Sequence, residues 1–151
     1  MDDIKRILVL SKSTKHCQKA VHYGVSLARA YQAKLYVMNI IHNPFGLKGW
    51  NLPVASLPSL EKEFEKMLYD AKADLDRIIT HEKINGLAIE ELVIEGDPSK
   101  ELFGFIEKQK IDLLIMLAYE QWRLEHFFFG REIHEIVRRM PCSVLLVQKK
   151  L

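Results

Sequence analysis

The stretch Ile7–Leu10, ILVL, places four aliphatic residues in succession near the N-terminus, and the polar residues SKST follow it at once. Three more runs are equally apolar and a fourth alternates: these are Leu35–Ile41, Leu113–Leu117, Val144–Val147 and the alternating Ile89–Ile94. A strand that is apolar at consecutive positions is buried on both faces, as in a parallel sheet between helical layers. The runs therefore predict five strands of one parallel sheet.

Helical periodicity fills the intervals between the strands. Thr14 is a predicted N-cap, Asp97-Pro98 opens the third helix, Asn85-Gly86 closes the second, and Pro141 ends the fourth. The apolar stripes are Cys17, Ala20, Val21, Gly24, Val25, Ala28 and Tyr31; Leu60, Phe64, Leu68, Ala71, Leu75 and Ile78; Leu102, Phe105 and Ile106; and Ile133, Ile136, Val137 and Met140. The alternation of strand and helix predicts a doubly wound α/β fold with helices on both faces of the sheet, as a single domain over residues 1–151.

Composition argues against several classes of function. The 151 residues carry a formal charge of +2, with basic and acidic side chains interspersed, so a nucleic-acid or membrane-surface binder is not favoured. No apolar stretch approaches 18 residues, and the N-terminus does not resemble a signal peptide, which indicates a cytoplasmic protein. Cys17 and Cys142 lack metal-ligand or redox spacing, and we expect both to be small buried residues.

Several segments together resemble the universal stress protein (UspA) family over essentially the whole chain. They are GDP at Gly96–Pro98, DLLIM at Asp112–Met116 followed by a glycine and a helix, and IVRRMPCSVLLV at Ile136–Val147. The resemblance implies a flavodoxin-like, adenine nucleotide alpha hydrolase-like sheet of strand order 3-2-1-4-5. It also implies a role in the response to stress and a homodimer formed through the last strand.

In such a sheet a crevice opens beyond the carboxyl ends of strands 1 and 4. The nucleotide-binding branch of the family carries G-x-x-G-x9-G-[S/T] after strand 4 and an Asp at the end of strand 1. Placed on this chain, that pattern puts Leu117 and Glu120 at the first two glycines, retains Gly130, and puts Arg131 at the hydroxyl residue. The strand 1 Asp falls on Lys12, beside Ser13.

These departures act against magnesium ATP. Leu117 and Glu120 add side chains where glycines would let backbone N–H groups approach phosphate, and Lys12 replaces a carboxylate that could support a metal ion. The chain thus resembles the branch that does not bind ATP, and we expect no cofactor. Aromatic residues of the loop, among them Trp122 and Phe127–Phe129, then fill the crevice or form a contact surface for an unknown protein partner.

A second interpretation stays open for the same crevice. Lys12 and Arg131 are cations beside a helix N-terminus and could hold the phosphate of ATP, AMP or a cyclic nucleotide, or a small anion, without metal. Weak ATP hydrolysis belongs to this alternative. Glu120 could neutralise either cation, and His126 is the histidine most suited to change charge there.

No catalytic motif accompanies the crevice. The sequence has no GxSxG and no HExxH, and its six histidines are scattered, so surface positions are expected for them. The leading prediction is therefore a non-catalytic, cytoplasmic stress-response protein that acts as a homodimer through protein contacts. Val144–Val147, as an apolar edge strand, is the predicted dimer contact.

Overall fold

The computed structural model describes four continuous stretches and part of a helix. These are residues 3–11, 17–41, 86–118 and 134–148, with helical positions 62–63, 65–66, 69–70, 73, 76–77, 79–80 and 83. The predictions made for residues 12–16, for the apolar stripe of the second helix from Leu60 to Ile78 and for the segment 119–133 lie outside them.

Five parallel strands form one sheet of order β3-β2-β1-β4-β5, as predicted. The strand bounds are β1 Arg6–Leu10, β2 Lys34–Ile41, β3 Ile89–Glu95, β4 Leu113–Ala118 and β5 Ser143–Gln148. Each predicted run lies inside its strand, and no boundary differs by more than one residue. The central strands β1 and β4 are buried along almost their whole length, because helices cover both of their faces.

The helices follow the predicted alternation. They are α1 at Cys17–Tyr31, α2 at the helical positions between 62 and 83, α3 at Pro98–Gln109 and α4 at 134–139. Asp97 is the N-cap of α3, since its side chain accepts a hydrogen bond from the Lys100 N–H at 3.0 Å, and Pro98 follows as its first residue. Gly86, at a φ of 81°, turns the chain after α2, as the Asn85-Gly86 signal predicted.

Two apolar layers hold the helices to the sheet, one on each face. The α1–α2 layer contains Ile7, Val9, Ala20, Val21, Val25, Ala28, Leu35, Val37, Ile79, Ile115 and Leu117. The α3–α4 layer contains Leu8, Leu10, Tyr36, Met38, Leu102, Phe103, Ile106, Leu114, Met116 and Ile136. Helices on both faces of a parallel sheet confirm the doubly wound α/β architecture.

Some predicted core positions are wrong. Tyr31 is exposed because it is the last residue of α1, and Val137 and Met140 are 54% and 58% exposed. Met140 follows α4 with a φ of 41°, so the helix ends before Pro141 and its final turn does not continue the buried stripe. In α3 the buried aromatic residue is Phe103, while Phe105 is only partly buried and meets the Tyr36 ring edge-on at a centroid distance of 5.3 Å.

Across the described residues, no helix is both long enough and apolar enough to span a membrane.

Candidate functional site

The site predicted at the carboxyl edge of the sheet lies where the strand order reverses. β1 pairs with β2 on one side and with β4 on the other, so the chain leaves the ends of β1 and β4 in opposite directions. A crevice beyond two such strand ends is the common ligand site of open α/β sheets. In the described residues, β1 ends at Leu10 and β4 ends at Ala118 on this edge.

Two buried polar residues lie side by side at this edge. The N–H of Ser11 donates to the carbonyl of Met38 at 2.8 Å, which continues the β1–β2 ladder by one step and places Ser11 opposite Asn39. Their exposed fractions are only 1% and 4%, and both take part in polar interactions within the chain. By strand alternation their side chains share the α1–α2 face with Val9 and Val37.

A cation also reaches this end of the molecule. Lys19, in the first turn of α1, donates from Nζ to the carbonyl oxygen of Gln148 at 2.9 Å. Because Gln148 pairs with Ala118 at the end of β4, the ammonium group lies close to where the chain leaves β4. This positive charge comes from a residue outside the family's nucleotide pattern.

Among the residues predicted for the crevice, the structure describes Leu117. It lies within β4, pairs with Val147 of β5, and is buried in the α1–α2 layer. The Leu117 side chain therefore fills space in the core that a glycine, which has no side chain, would leave empty. Lys12, Ser13, Glu120, Gly130 and Arg131 lie outside the described residues, so their roles stay predictions.

Other reactive groups give no site in the part of the chain that the structure describes. His22 and His134 are exposed, as expected for surface histidines, and the described His, Cys, Asp and Glu residues form no cluster of three that could hold a metal ion. Cys142 is partly buried against the α3–α4 layer, and this burial raises the pKa of its thiol above the ordinary 9.0. The thiol thus stays protonated and unreactive at neutral pH.

Sequence reasoning missed Ser11, Asn39 and Lys19. A weak signal existed for Asn39, because it is the one amide within the otherwise apolar run LYVMNII at Leu35–Ile41. Ser11 was noted only within the polar segment SKST after strand 1, and nothing in the sequence singled out Lys19. Their proximity to the crevice depends on pairing between distant segments.

Comparison with known proteins agrees with this fold. The sequence model of the universal stress protein family matches residues 3–148. A universal stress protein of Methanocaldococcus jannaschii is 24% identical over 146 residues, which cover 96% of this chain and 82% of that protein.

Solved structures share the same architecture. The universal stress protein UspA from Lactobacillus plantarum superposes with a TM-score of 0.77 at 18% identity, covering 97% of this chain and 99% of that one. A universal stress protein in complex with cAMP has a TM-score of 0.67 at 19% identity, covering 99% of this chain and 100% of the other. Together with the family match over almost all of its length, the strand order and the layered core show that this chain belongs to the universal stress protein family.

Proposed function

We propose that this protein is a non-catalytic stress-response protein of the cytoplasm that acts as a homodimer through protein contacts. The observation that carries this proposal is the edge strand β5. It pairs with β4 on one side, and in the described residues no strand pairs with its other side. Its Leu146 side chain is 43% exposed. An apolar edge with open backbone groups favours pairing with a second chain.

The neighbouring helix extends this apolar edge. Val137 and Met140 follow the buried Ile136 of α4 and are both more than half exposed. Ile136 belongs to the α3–α4 layer, and Val144 of β5 packs against that same layer. Exposed apolar side chains gathered at a sheet edge are typical of protein contact surfaces.

The dimer is tested by sedimentation equilibrium of the parent and of Leu146→Lys. We expect the parent to sediment as a dimer. The dimer dissociation constant of the variant should be at least tenfold higher, because an ammonium group would be buried in the contact. Tyr31→Lys is the matched control, since Tyr31 is similarly exposed but lies at the end of α1. A monomeric parent, or equal dissociation constants for all three proteins, would refute the proposal.

The proposal includes the statement that the protein does not bind magnesium ATP. Leu117 supports it, since this side chain fills the α1–α2 layer at the position of the family's first glycine. Two residue types in the sequence also support it, since Glu120 adds a negatively charged side chain where the family has a glycine and Lys12 replaces a carboxylate that could support a metal ion. With the crevice unsuited to polyphosphate, we infer that the protein works by binding another protein.

A second candidate function is the sensing of a nucleotide or small anion at the carboxyl edge. The observation that favours it is Lys19, whose ammonium group lies close to where the chain leaves β4. With Lys12 and Arg131, it would supply positive charge for phosphate. A universal stress protein of this fold has been solved in complex with cAMP, which agrees with a monophosphate as the class of ligand.

Titration with cAMP and AMP distinguishes the two functions. Under the second, the parent binds one of them with micromolar affinity, and Lys19→Met weakens that binding at least tenfold while unfolding remains cooperative. No heat of binding for either compound would reject sensing of these nucleotides and leave the dimer proposal unaffected.

A further inference from the structure

A carboxylate of the edge strand β3 lies in an unusual environment. Glu91 alternates with Ile89 and Val93, which pack against the α1–α2 layer, so its side chain lies on the face that α2 covers. Lys83 of α2 places Nζ 3.3 Å from Glu91 Oε1. The second oxygen, Oε2, is fully buried and accepts no hydrogen bond within the described structure.

A buried carboxylate oxygen without a donor is unfavourable, because the ionised form loses hydration and gains nothing in return. The group beside Glu91 is Asp76 of α2, a second carboxyl within hydrogen-bonding reach. Two carboxylates cannot donate to each other while both are ionised, but one proton between them creates a donor. Glu91 Oε2 is thus an acceptor without a donor, and the neighbouring Asp76 carboxyl can share a proton with it.

Electrostatics favour the same arrangement. Burial of Glu91, followed by the hydrogen bond that its protonated carboxyl would donate to Asp76 and by the like charge of Asp76, raises the pKa of the Glu91 carboxyl above its ordinary 4.5. Lys83 lowers the pKa of Glu91. Because the ion pair between Lys83 and Glu91 is partly exposed to solvent, this effect does not offset those of burial and Asp76. In β2, the residue in register with Glu91 is the apolar Val37, which adds no charge.

We propose that Glu91 and Asp76 share one proton in a carboxyl–carboxylate hydrogen bond, and that uptake of this proton on acidification strengthens the contact between α2 and the edge strand β3. The proton comes from solvent and binds Glu91 Oε2, which then donates to the Asp76 carboxylate. Lys83 retains its contact with Oε1. This device acts whether or not the carboxyl edge of the sheet binds a ligand.

The direction of the pH dependence follows from the raised pKa of Glu91. A group whose folded-state pKa lies above its unfolded value stabilises the fold fully below the unfolded value and loses that contribution as pH rises through the folded value. The contact between α2 and β3 is therefore strongest below about pH 4.5 and weakens above it. Protonation of other carboxylates adds its own acid destabilisation, so variants must be compared with the parent.

The test uses carboxyl carbon NMR of the full chain labelled at glutamate. We expect the Glu91 carboxyl to titrate with a midpoint above 4.5, and this midpoint to fall in Asp76→Asn, whose amide donates to the carboxylate at every pH. A Glu91 midpoint at or below 4.5 in the parent would overturn the proposal.

Stability profiles between pH 4 and 8 provide the second measurement. In the parent, the denaturation midpoint should decline as pH rises through the Glu91 titration. In Glu91→Gln the amide donates to Asp76 independently of pH, so this decline should be lost. Glu90→Gln is the matched control, since Glu90 is the adjacent residue of β3 and pairs with Lys34 at 2.7 Å on the other face of the sheet. It should retain the parent profile. The same decline in Glu91→Gln as in the parent would contradict the proposal.

Discussion

Lys19 Nζ lies 2.9 Å from the carbonyl oxygen of Gln148, so a side chain from the first turn of α1 closes the end of the edge strand β5. The two residues are 129 positions apart in the sequence. This hydrogen bond connects the helix that begins at the carboxyl edge of the sheet with the strand proposed to form the dimer.

Lys19→Met should lower the free energy of unfolding by about 0.5–1 kcal/mol, because it removes one hydrogen bond at an exposed position where solvent screens the charge. Chemical denaturation measures the change. Lys19→Arg retains a donor and should lie closer to the parent. Equal stability of the parent and the Met variant would show that the contact contributes nothing.

Gly24→Ala should destabilise the protein by about 1–3 kcal/mol, since α1 packs directly on the sheet at this residue. An added Cβ would overlap Val9 Cγ2 and lie 3.2 Å from Leu35 Cδ1. Gly104→Ala is the matched helical control, because no atom lies within 4 Å of its added Cβ. That variant should gain up to about 1 kcal/mol, as alanine favours helix. Thermal unfolding of both variants tests the difference, and equal shifts in Tm would contradict it.

Asp97→Ala should cost about 1 kcal/mol, the usual effect of losing an N-cap. The Asp97 carboxylate accepts from the Lys100 N–H at the start of α3, and Asn at this position would preserve the bond. Unfolding by urea should therefore give a lower midpoint for Asp97→Ala than for Asp97→Asn. Identical midpoints would argue against a contribution from the cap.

Asp112→Ala should destabilise the start of the sheet by about 1–3 kcal/mol. One carboxylate oxygen, Oδ2, accepts from the N–H groups of Lys5 and Arg6 at 2.9 and 2.8 Å, and so connects the start of β1 to the residue before β4. Hydrogen exchange of these two amides should accelerate in Asp112→Ala and remain slower in Asp112→Asn, which keeps a carbonyl acceptor. Unchanged exchange in the Ala variant would oppose this role.

The strands could be predicted because burial on both faces leaves a direct record in the sequence. Leu113–Leu117 is apolar at every position, and the structure extends that strand only to Ala118. Helical periodicity was less informative near helix ends, where Tyr31 and Met140 continue a stripe in sequence but no longer face the sheet. For Val137, the apolar residue type indicated burial, yet the side chain lies exposed in α4.

The candidate site was harder to predict, because its described residues meet only through long-range pairing. Asn39 becomes a neighbour of Ser11 through the register of β1 with β2, and local patterning contains no information on that register. Glu91 looked like an ordinary polar position in an alternating strand until the fold placed Asp76 and Lys83 beside it.

Calorimetric titration of the purified protein with ATP, with and without magnesium, tests the central claim most directly. Our account predicts no heat of binding, because Leu117 fills the position of the first glycine and a lysine replaces the carboxylate at the end of β1. Micromolar affinity for magnesium ATP that disappears in Lys12→Ala or Arg131→Ala would contradict it.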